Sequence, residues 1–178
     1  LKQDKKTNNM KKVILSLAFV VLAFGLNAQS NVIKTNPLAL AFGDFNATYE
    51  RVLNNSSSLQ ISGHYMFKFL SEEVNLGGVG LGYRFYITHA KKPVPAGFHV
   101  TPNGVFTFGS VKNEDGTTSG AKTYGFGVEL GYQWVWESGF ALDLGIGPMY
   151  RFLSGSGDES STASGFWPSA TLAIGYAF

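Results

Sequence analysis

The chain has 178 residues, of which 44% are hydrophobic, 15% aromatic and 15% charged. With 14 basic against 12 acidic residues, it lacks the concentrated positive charge that neutralises phosphates, so we expect no nucleic-acid partner. Cysteine is absent, which excludes disulfides and thiolate ligands, and the histidines lack metal-site spacing. We therefore expect no metal and no cofactor.

Residues 1–28 have the three parts of a secretory signal peptide. Two lysines follow Met10, an apolar run of 14 residues ends at Leu26, and Ala28 offers a small residue for cleavage. The run is shorter than the roughly 20 residues of a transmembrane helix; a buried core helix is the alternative. We predict a start at Met10 and cleavage after Ala28. The 150 residues from 29 to 178 then form one domain with 9 basic and 11 acidic residues.

The rest of the sequence predicts an all-β fold. Alternating apolar and polar segments are separated by Gly, Asn, Ser and Asp, and no apolar stripe with helical spacing follows Gln29. Each segment reaches the roughly 9 to 11 residues with which a tilted strand crosses a membrane. We predict eight strands, at Ile33–Phe42, Phe45–Leu53, Ser58–Phe69, Leu76–Thr88, Phe98–Val111, Thr123–Trp136, Phe140–Leu153 and Phe166–Phe178.

Two different rows of side chains alternate along these strands. On the sixth, one row is bulky and apolar from Tyr124 to Trp136, while the other contains Gly125, Gly127 and Gly131. We interpret the bulky row as lipid-facing and the small row as lining the narrow lumen of an up-and-down transmembrane barrel. A soluble barrel would reverse the two rows, but so many glycines are unusual for a solvated face.

The connections predict the orientation of the barrel. Asn54–Ser57 and Glu137–Gly139 are short, as periplasmic turns are, whereas Lys112–Lys122 and Ser154–Gly165 are long and polar, as external loops are. A long connection at His89–Gly97 would lie on the periplasmic side. Aromatic residues gather near both ends of the strands, which is typical of girdles at two membrane interfaces. Four prolines inside predicted strands indicate bulges or strand ends, namely Pro37, Pro102, Pro148 and Pro168.

The carboxyl-terminal strand ends on an aromatic residue. Its bulky face resembles the signal that the outer-membrane assembly machinery recognises, and it consists of Leu172, Ile174, Tyr176 and the terminal Phe178. We therefore expect the assembly machinery and outer-membrane lipid to be partners of this chain.

Several segments together resemble a family of small outer-membrane β-barrel proteins of unknown function. They are the run from Asn31 to Phe45, Tyr49-Glu50-Arg51, Tyr83-Arg84-Phe85-Tyr86 and Pro95-Ala96-Gly97-Phe98. The resemblance covers Asn31 to Phe178 and implies an architecture similar to the OmpA- and OmpX-type eight-stranded barrels. It also implies an outer-membrane location in a Gram-negative cell, and it supplies no activity and no catalytic residues.

Charged residues of the small row are predicted to fill the lumen. Because ions withdrawn from water are costly unless compensated, we expect a lower network of Glu50, Arg84, Asp143 and His99. An upper network would combine the remaining members, Glu129, Arg151, Lys68 and His64. Such networks would plug the lumen; their rearrangement to pass small ions is the alternative.

The sequence favours a monomeric structural or surface-recognition protein over an enzyme. A nucleophile needs a base within hydrogen-bond reach, and no outward His–Ser pair is present, so we expect no catalytic residues. The glycines at 77–82 lack the spacing of a phosphate loop and belong to a strand. A narrow ion or small-solute channel and a soluble periplasmic carrier of apolar ligands remain as alternatives. The partner of the external loops is not specified by their few charged residues.

Overall fold

The computed structural model describes residues 30–69, 72–112, 118–156 and 162–178, with backbone alone at 68, 69, 72, 73, 112, 156 and 162. The predicted signal peptide, residues 1–28, lies outside the described residues. Eight antiparallel strands form a closed barrel in which each strand pairs with its neighbours in sequence and the last pairs with the first. The prediction of an all-β, up-and-down, eight-stranded barrel is therefore confirmed.

The strands alternate in direction around the barrel and are joined by turns and loops. Their bounds are β1 Asn31–Thr35, β2 Asp44–Asn54, β3 Ser57–Phe69, β4 Glu72–Tyr86, β5 Gly97–Lys112, β6 Thr118–Val135, β7 Phe140–Ser156 and β8 Thr162–Ala177. Strands β5 to β8 extend further toward the predicted external loops than the alternating pattern indicated. The predicted short turns after β2 and β6 are confirmed.

The first strand is shorter than predicted because a helix, α1 (Pro37–Ala41), replaces its second half. The side chain of Asn36 accepts hydrogen bonds from the backbone N–H groups of Leu38 and Ala39, at 3.0 and 3.1 Å. Pro37 occupies the first helical position, where its missing N–H costs nothing. The predicted strand Ile33–Phe42 is thus wrong beyond Thr35. Within the described ranges, no helix is long and apolar enough to cross a bilayer.

The strand register shows how strongly the strands are staggered. We step from Lys34 of β1 to its paired residue on β2, and from there to the paired residue on each following strand. This path passes through Thr48, Ser62, Gly80, Val105, Gly125, Arg151 and Gly165. Extended by the β8–β1 register, it reaches a level ten residues beyond Lys34 in the direction of β1. With ~3.3 Å per residue and ~4.7 Å between strands, a ten-residue stagger over eight strands corresponds to a tilt of about 41°.

Prolines sit where the barrel does not need their N–H groups. Pro148 of β7 lies opposite Pro168 of β8, and the β6–β7 ladder is interrupted between Met149 and Ile146. On its other side, β8 pairs with β1 only from Ile174 onward, so Pro168 adjoins no strand there. Pro102 pairs with Val128 of β6, but the β4–β5 ladder is interrupted beside it, between Asn103 and Val100. The predicted irregularity is therefore present at Pro37, beside Pro102 and beside Pro148, and β8 continues through Pro168.

The glycines of the small row make room for long side chains that point inward. A Cβ on Gly131 would lie 2.4 Å from the His99 ring, and one on Gly145 would lie 2.3 Å from the carboxylate of Glu129. Gly78 likewise leaves space for the imidazole of His64. Because an eight-stranded barrel is only just wide enough to be filled by side chains, each long residue needs such a neighbour.

Candidate functional site

One layer of polar and charged side chains fills the half of the barrel interior that is nearer to the β4–β5 connection. Seven of the eight strands contribute to it, with Lys34 on β1, Glu50 on β2, Ser58 on β3, Arg84 and Tyr86 on β4, His99 and Thr101 on β5, Gln133 on β6 and Asp143 on β7. We call this set the charged layer. Each of these residues is at most 4% exposed.

Two cations and two carboxylates form the centre of the charged layer. The Nζ atom of Lys34 lies 2.7 Å from a carboxylate oxygen of Glu50 and 2.7 Å from one of Asp143. The guanidinium of Arg84 approaches the same two carboxylates, at 2.9 Å from Asp143 and 3.4 Å from Glu50. Their formal charges cancel, and every ion has two partners of opposite charge, as burial away from water requires.

Neutral side chains form further hydrogen bonds with these ions. Glu50 accepts hydrogen bonds from the hydroxyl groups of Ser58 and Tyr86 and from the Gln60 amide. The side-chain oxygen of Gln133 accepts from both Lys34 and Arg84, at 2.8 and 3.0 Å. Fully satisfied polar networks of this kind rigidify the interior of a protein.

His99 connects the carboxylate of Asp143 to the guanidinium of Arg84. Its Nε2 lies 3.0 Å from Asp143 and its Nδ1 lies 3.1 Å from the hydroxyl of Thr101, which in turn accepts from Nε of Arg84 at 3.2 Å. One assignment of protons satisfies all three contacts: Nε2–H donates to Asp143, and the Thr101 hydroxyl donates to Nδ1. In that arrangement the imidazole is neutral.

The connection between β4 and β5 covers the layer from below. The amide nitrogen of Gln133 donates to the backbone carbonyl of Pro95 at 2.7 Å, and Pro95 itself is buried. The His89 ring contacts the backbone carbonyl of Tyr86 at 2.7 Å. The long periplasmic-side connection predicted from the sequence is thus a cap on the charged layer.

A polar cavity of about 170 Å³ lies on the other side of the layer. Lys34, Arg84 and Asp143 line it from the charged layer, and Glu129 lines it from β6. The rest of its lining is mostly hydroxyl and amide groups, from Thr48, Gln60, Ser62, Thr101, Asn103, Ser169 and Thr171. Glu129 is 5% exposed and accepts a hydrogen bond of 2.7 Å from Thr171.

The structure brings together four of the eight charged residues singled out in the sequence: Glu50, Arg84, Asp143 and His99. The predicted upper network does not form among the described side chains. Glu129 pairs with Thr171, and His64 contacts Thr107 at 3.2 Å. Among the described residues, the buried Nε of Arg151 has no hydrogen-bond partner. The side chain of Lys68 lies outside the described part of the chain.

Lys34 is the main residue that sequence reasoning missed, together with Gln133 and Tyr86. The even-numbered residues Leu38, Leu40 and Phe42 are apolar, so a continuous strand would put Lys34 on the bulky row of the outer surface. Because α1 begins after Asn36, that alternation does not extend across the whole segment. The Asn-Pro pair, an N-cap followed by a first helical residue, could have indicated the break.

The comparison with protein families supports only one part of the resemblance seen in the sequence, namely a family of unknown function. A family model described as a protein of unknown function (DUF3575) matches residues 13–157. The chain belongs to this family. No curated protein and no solved structure matches it. Membership in the DUF3575 family brings no activity and no site residues, and it does not connect the chain to OmpA or OmpX.

The interior of this DUF3575 member combines the charged layer with a polar cavity. The charged layer spans the lumen with paired ions, and the cavity beside it is lined mostly by groups that form hydrogen bonds. In the ranges that the structure describes, no group of three or more His, Asp and Glu residues is arranged to hold a metal ion. What the arrangement offers is a rigid closure next to a small polar compartment.

Proposed function

We propose that this protein is a monomeric integral protein of the outer membrane of a Gram-negative cell, exported by the segment 1–28. Its barrel, closed by the charged layer, holds the external loops at the cell surface, where a structural or surface-recognition role is exerted. Lipid and the barrel assembly machinery are its partners, and the role is not enzymatic. Loops carried on a rigid scaffold are common positions for binding.

The observation that carries this proposal is the belt of bulky apolar side chains on the outside of the barrel. Ile146 is 67% exposed, Phe126 63% and Leu130 59%, although each belongs to a regular strand. Soluble monomers rarely expose contiguous apolar patches of more than a few hundred Å². A lipid environment removes the cost of exposing this surface.

The height of the belt also fits a bilayer. Aromatic pairs cluster near its two edges, such as Tyr132 with Trp134 at a centroid distance of 4.3 Å and Phe106 with Tyr124 at 4.7 Å. Trp134 and Tyr124 are ten residues apart on β6, which at a tilt of about 41° corresponds to a height of about 25 Å. Outer-membrane barrels have an apolar band of about this height between their aromatic girdles.

The interior supports a plugged barrel over the two alternatives. A carrier of apolar ligands needs an apolar compartment, whereas the described lumen contains the charged layer and a polar cavity. A channel needs a continuous path, whereas Lys34 and Arg84 are both held by two carboxylates across the lumen. Phe178 and Asn31 form two backbone hydrogen bonds, which close the seam between the last strand and the first.

An arginine in the middle of the belt tests the proposal. Ile146 lies midway between the girdles, and Ile146→Arg should cost about 2–4 kcal/mol of folding free energy in lipid vesicles, as charges do at the bilayer midplane. Asn55→Arg, in the exposed turn after β2, is the matched control and should cost less than about 0.5 kcal/mol. If Ile146→Arg were as harmless as the control, the belt would face water and the proposal would be wrong.

A further inference from the structure

Glu129 is a buried carboxylate for which the described residues provide no cationic partner within ion-pair distance. Its Oε2 atom accepts from Thr171, while its Oε1 atom lies over Gly145 and accepts no hydrogen bond from the described residues. An ionised carboxylate has about four acceptor sites. Glu129 therefore faces the polar cavity with most of its hydrogen-bonding capacity unused.

The charges around the cavity do not cancel. Lys34 and Arg84 are balanced by Glu50 and Asp143 within the charged layer, so an ionised Glu129 adds a negative charge that no described cation pairs with. Buried charges are normally paired, because leaving water without compensation is expensive. The cavity thus has the charge to hold one monovalent cation.

The size and lining of the cavity indicate what kind of cation fits. Its volume of about 170 Å³ exceeds the volume of a bare alkali ion and corresponds to roughly five water molecules. Its walls present side-chain oxygens, including those of Asn103, Thr171 and Gln60, that can accept hydrogen bonds. An ammonium group donates three hydrogen bonds and so matches one carboxylate surrounded by such oxygens.

We propose that the cavity binds a small primary ammonium group, with Glu129 as its counter-ion. The group could be part of a free amine that enters from the external side, or part of a lipid headgroup. A headgroup would enter from the side of the barrel, because among the described residues β8 has no strand partner on the β1 side before Ile174, and the short helix α1 contacts both β2 and β8 there. Ser169 and Thr171, which line the cavity, belong to this part of β8.

Calorimetric titration of the full-length barrel with ethylammonium chloride tests the proposal, in a zwitterionic detergent and an amine-free buffer. The wild type should bind one equivalent, and Glu129→Gln should weaken binding at least tenfold. Glu137→Gln removes the same charge from the exposed turn after β6 and should leave binding unchanged. Binding that is absent in the wild type, or unaltered by Glu129→Gln, would overturn the proposal. Potassium chloride or ethanol binding as tightly as ethylammonium would also overturn it.

A pair of glycine variants keeps the test independent of the carboxylate substitution. Gly145→Ala places a methyl group on the Oε1 atom of Glu129 and should also weaken ethylammonium binding, whereas Gly165→Ala adds a methyl group in open space and should not. Both variants should still fold, which is shown by a difference in electrophoretic mobility between heated and unheated samples. Equal binding by folded Gly145→Ala and Gly165→Ala proteins would contradict the assigned position.

Nanodiscs distinguish the two sources of the ammonium group. Native mass spectrometry of barrels released from phosphatidylethanolamine discs should show a retained lipid that Glu129→Gln loses, if the headgroup is the ligand. Barrels from phosphatidylcholine discs are the control, since their headgroup carries no N–H donor. Ethylammonium binding without lipid retention assigns the site to a free amine. Infrared spectra that show a protonated Glu129 carboxyl group at saturating ethylammonium would overturn both versions.

Discussion

Replacing Lys34 by methionine tests whether the charged layer stabilises the barrel as the geometry indicates. The ammonium group contacts Glu50 and Asp143 at 2.7 Å each and Gln133 at 2.8 Å. Lys34→Met keeps most of the volume of the side chain but leaves two buried carboxylates with Arg84 alone. Removing one partner of a buried ion pair costs about 3–5 kcal/mol, so we expect the free energy of unfolding to fall by that amount.

A double-mutant cycle separates the effect of charge from that of packing. Asp143→Asn also unbalances the layer, but combining it with Lys34→Met restores charge neutrality between Glu50 and Arg84. The double variant should therefore be at least about 1 kcal/mol more stable than the sum of the two single effects predicts. Urea unfolding in lipid vesicles, followed by tryptophan fluorescence, measures all three values. Lys91→Met, on the exposed β4–β5 connection, is the control and should change stability by less than about 0.5 kcal/mol.

Two results would refute this account of the layer. One is a loss of less than about 1 kcal/mol in the free energy of unfolding for Lys34→Met, since leaving a buried charge without its partner destabilises a protein by more than this. The other is strict additivity in the cycle, which would mean that Lys34 and Asp143 do not interact despite their short distance.

Further predictions concern packing, conduction and assembly. Gly131→Ala should cost about 1–3 kcal/mol in urea unfolding because its Cβ overlaps the His99 ring, whereas Gly165→Ala should cost almost nothing; equal costs would contradict the packing. In planar bilayers the wild type should not conduct ions, and Arg84→Ala should show channel openings because it removes the central guanidinium. If Arg84→Ala also fails to conduct, the lumen is not plugged by these ions. Phe178→Ala should lower the amount of folded barrel in the outer membranes of cells, while the purified variant should still refold in detergent. Normal assembly of Phe178→Ala in cells would show that the assembly machinery does not recognise this aromatic residue.

Much of the barrel could be predicted because alternation is a local property of the sequence. Leu130 and Ile146 alternate with glycines along β6 and β7, and the structure places both on the outer surface. The inward glycines were predictable for the same reason, since a narrow lumen cannot accommodate two rows of long side chains. The exception is α1, where the Asn36-Pro37 capping pair interrupts an alternation that otherwise continues to Phe42.

The composition of the site was harder to predict because it depends on height as well as on face. Alternation shows that Glu129 and Arg151 both point inward, but it does not show that they lie at different levels of the barrel. The levels follow from the ten-residue stagger of the strands, which is a property of the closed sheet. The same stagger brings Lys34 and Asp143 together, although 109 positions separate them in the chain.

The central claim is that the barrel is inserted in the outer membrane with its apolar belt in lipid. Fractionation of cells that express the full-length chain, followed by electrophoresis of heated and unheated samples, tests it most directly. The account predicts recovery in the outer membrane and a mobility that changes on heating, as the closed barrel unfolds. Recovery as a soluble periplasmic protein would contradict it, because the exposed belt would then have to face water.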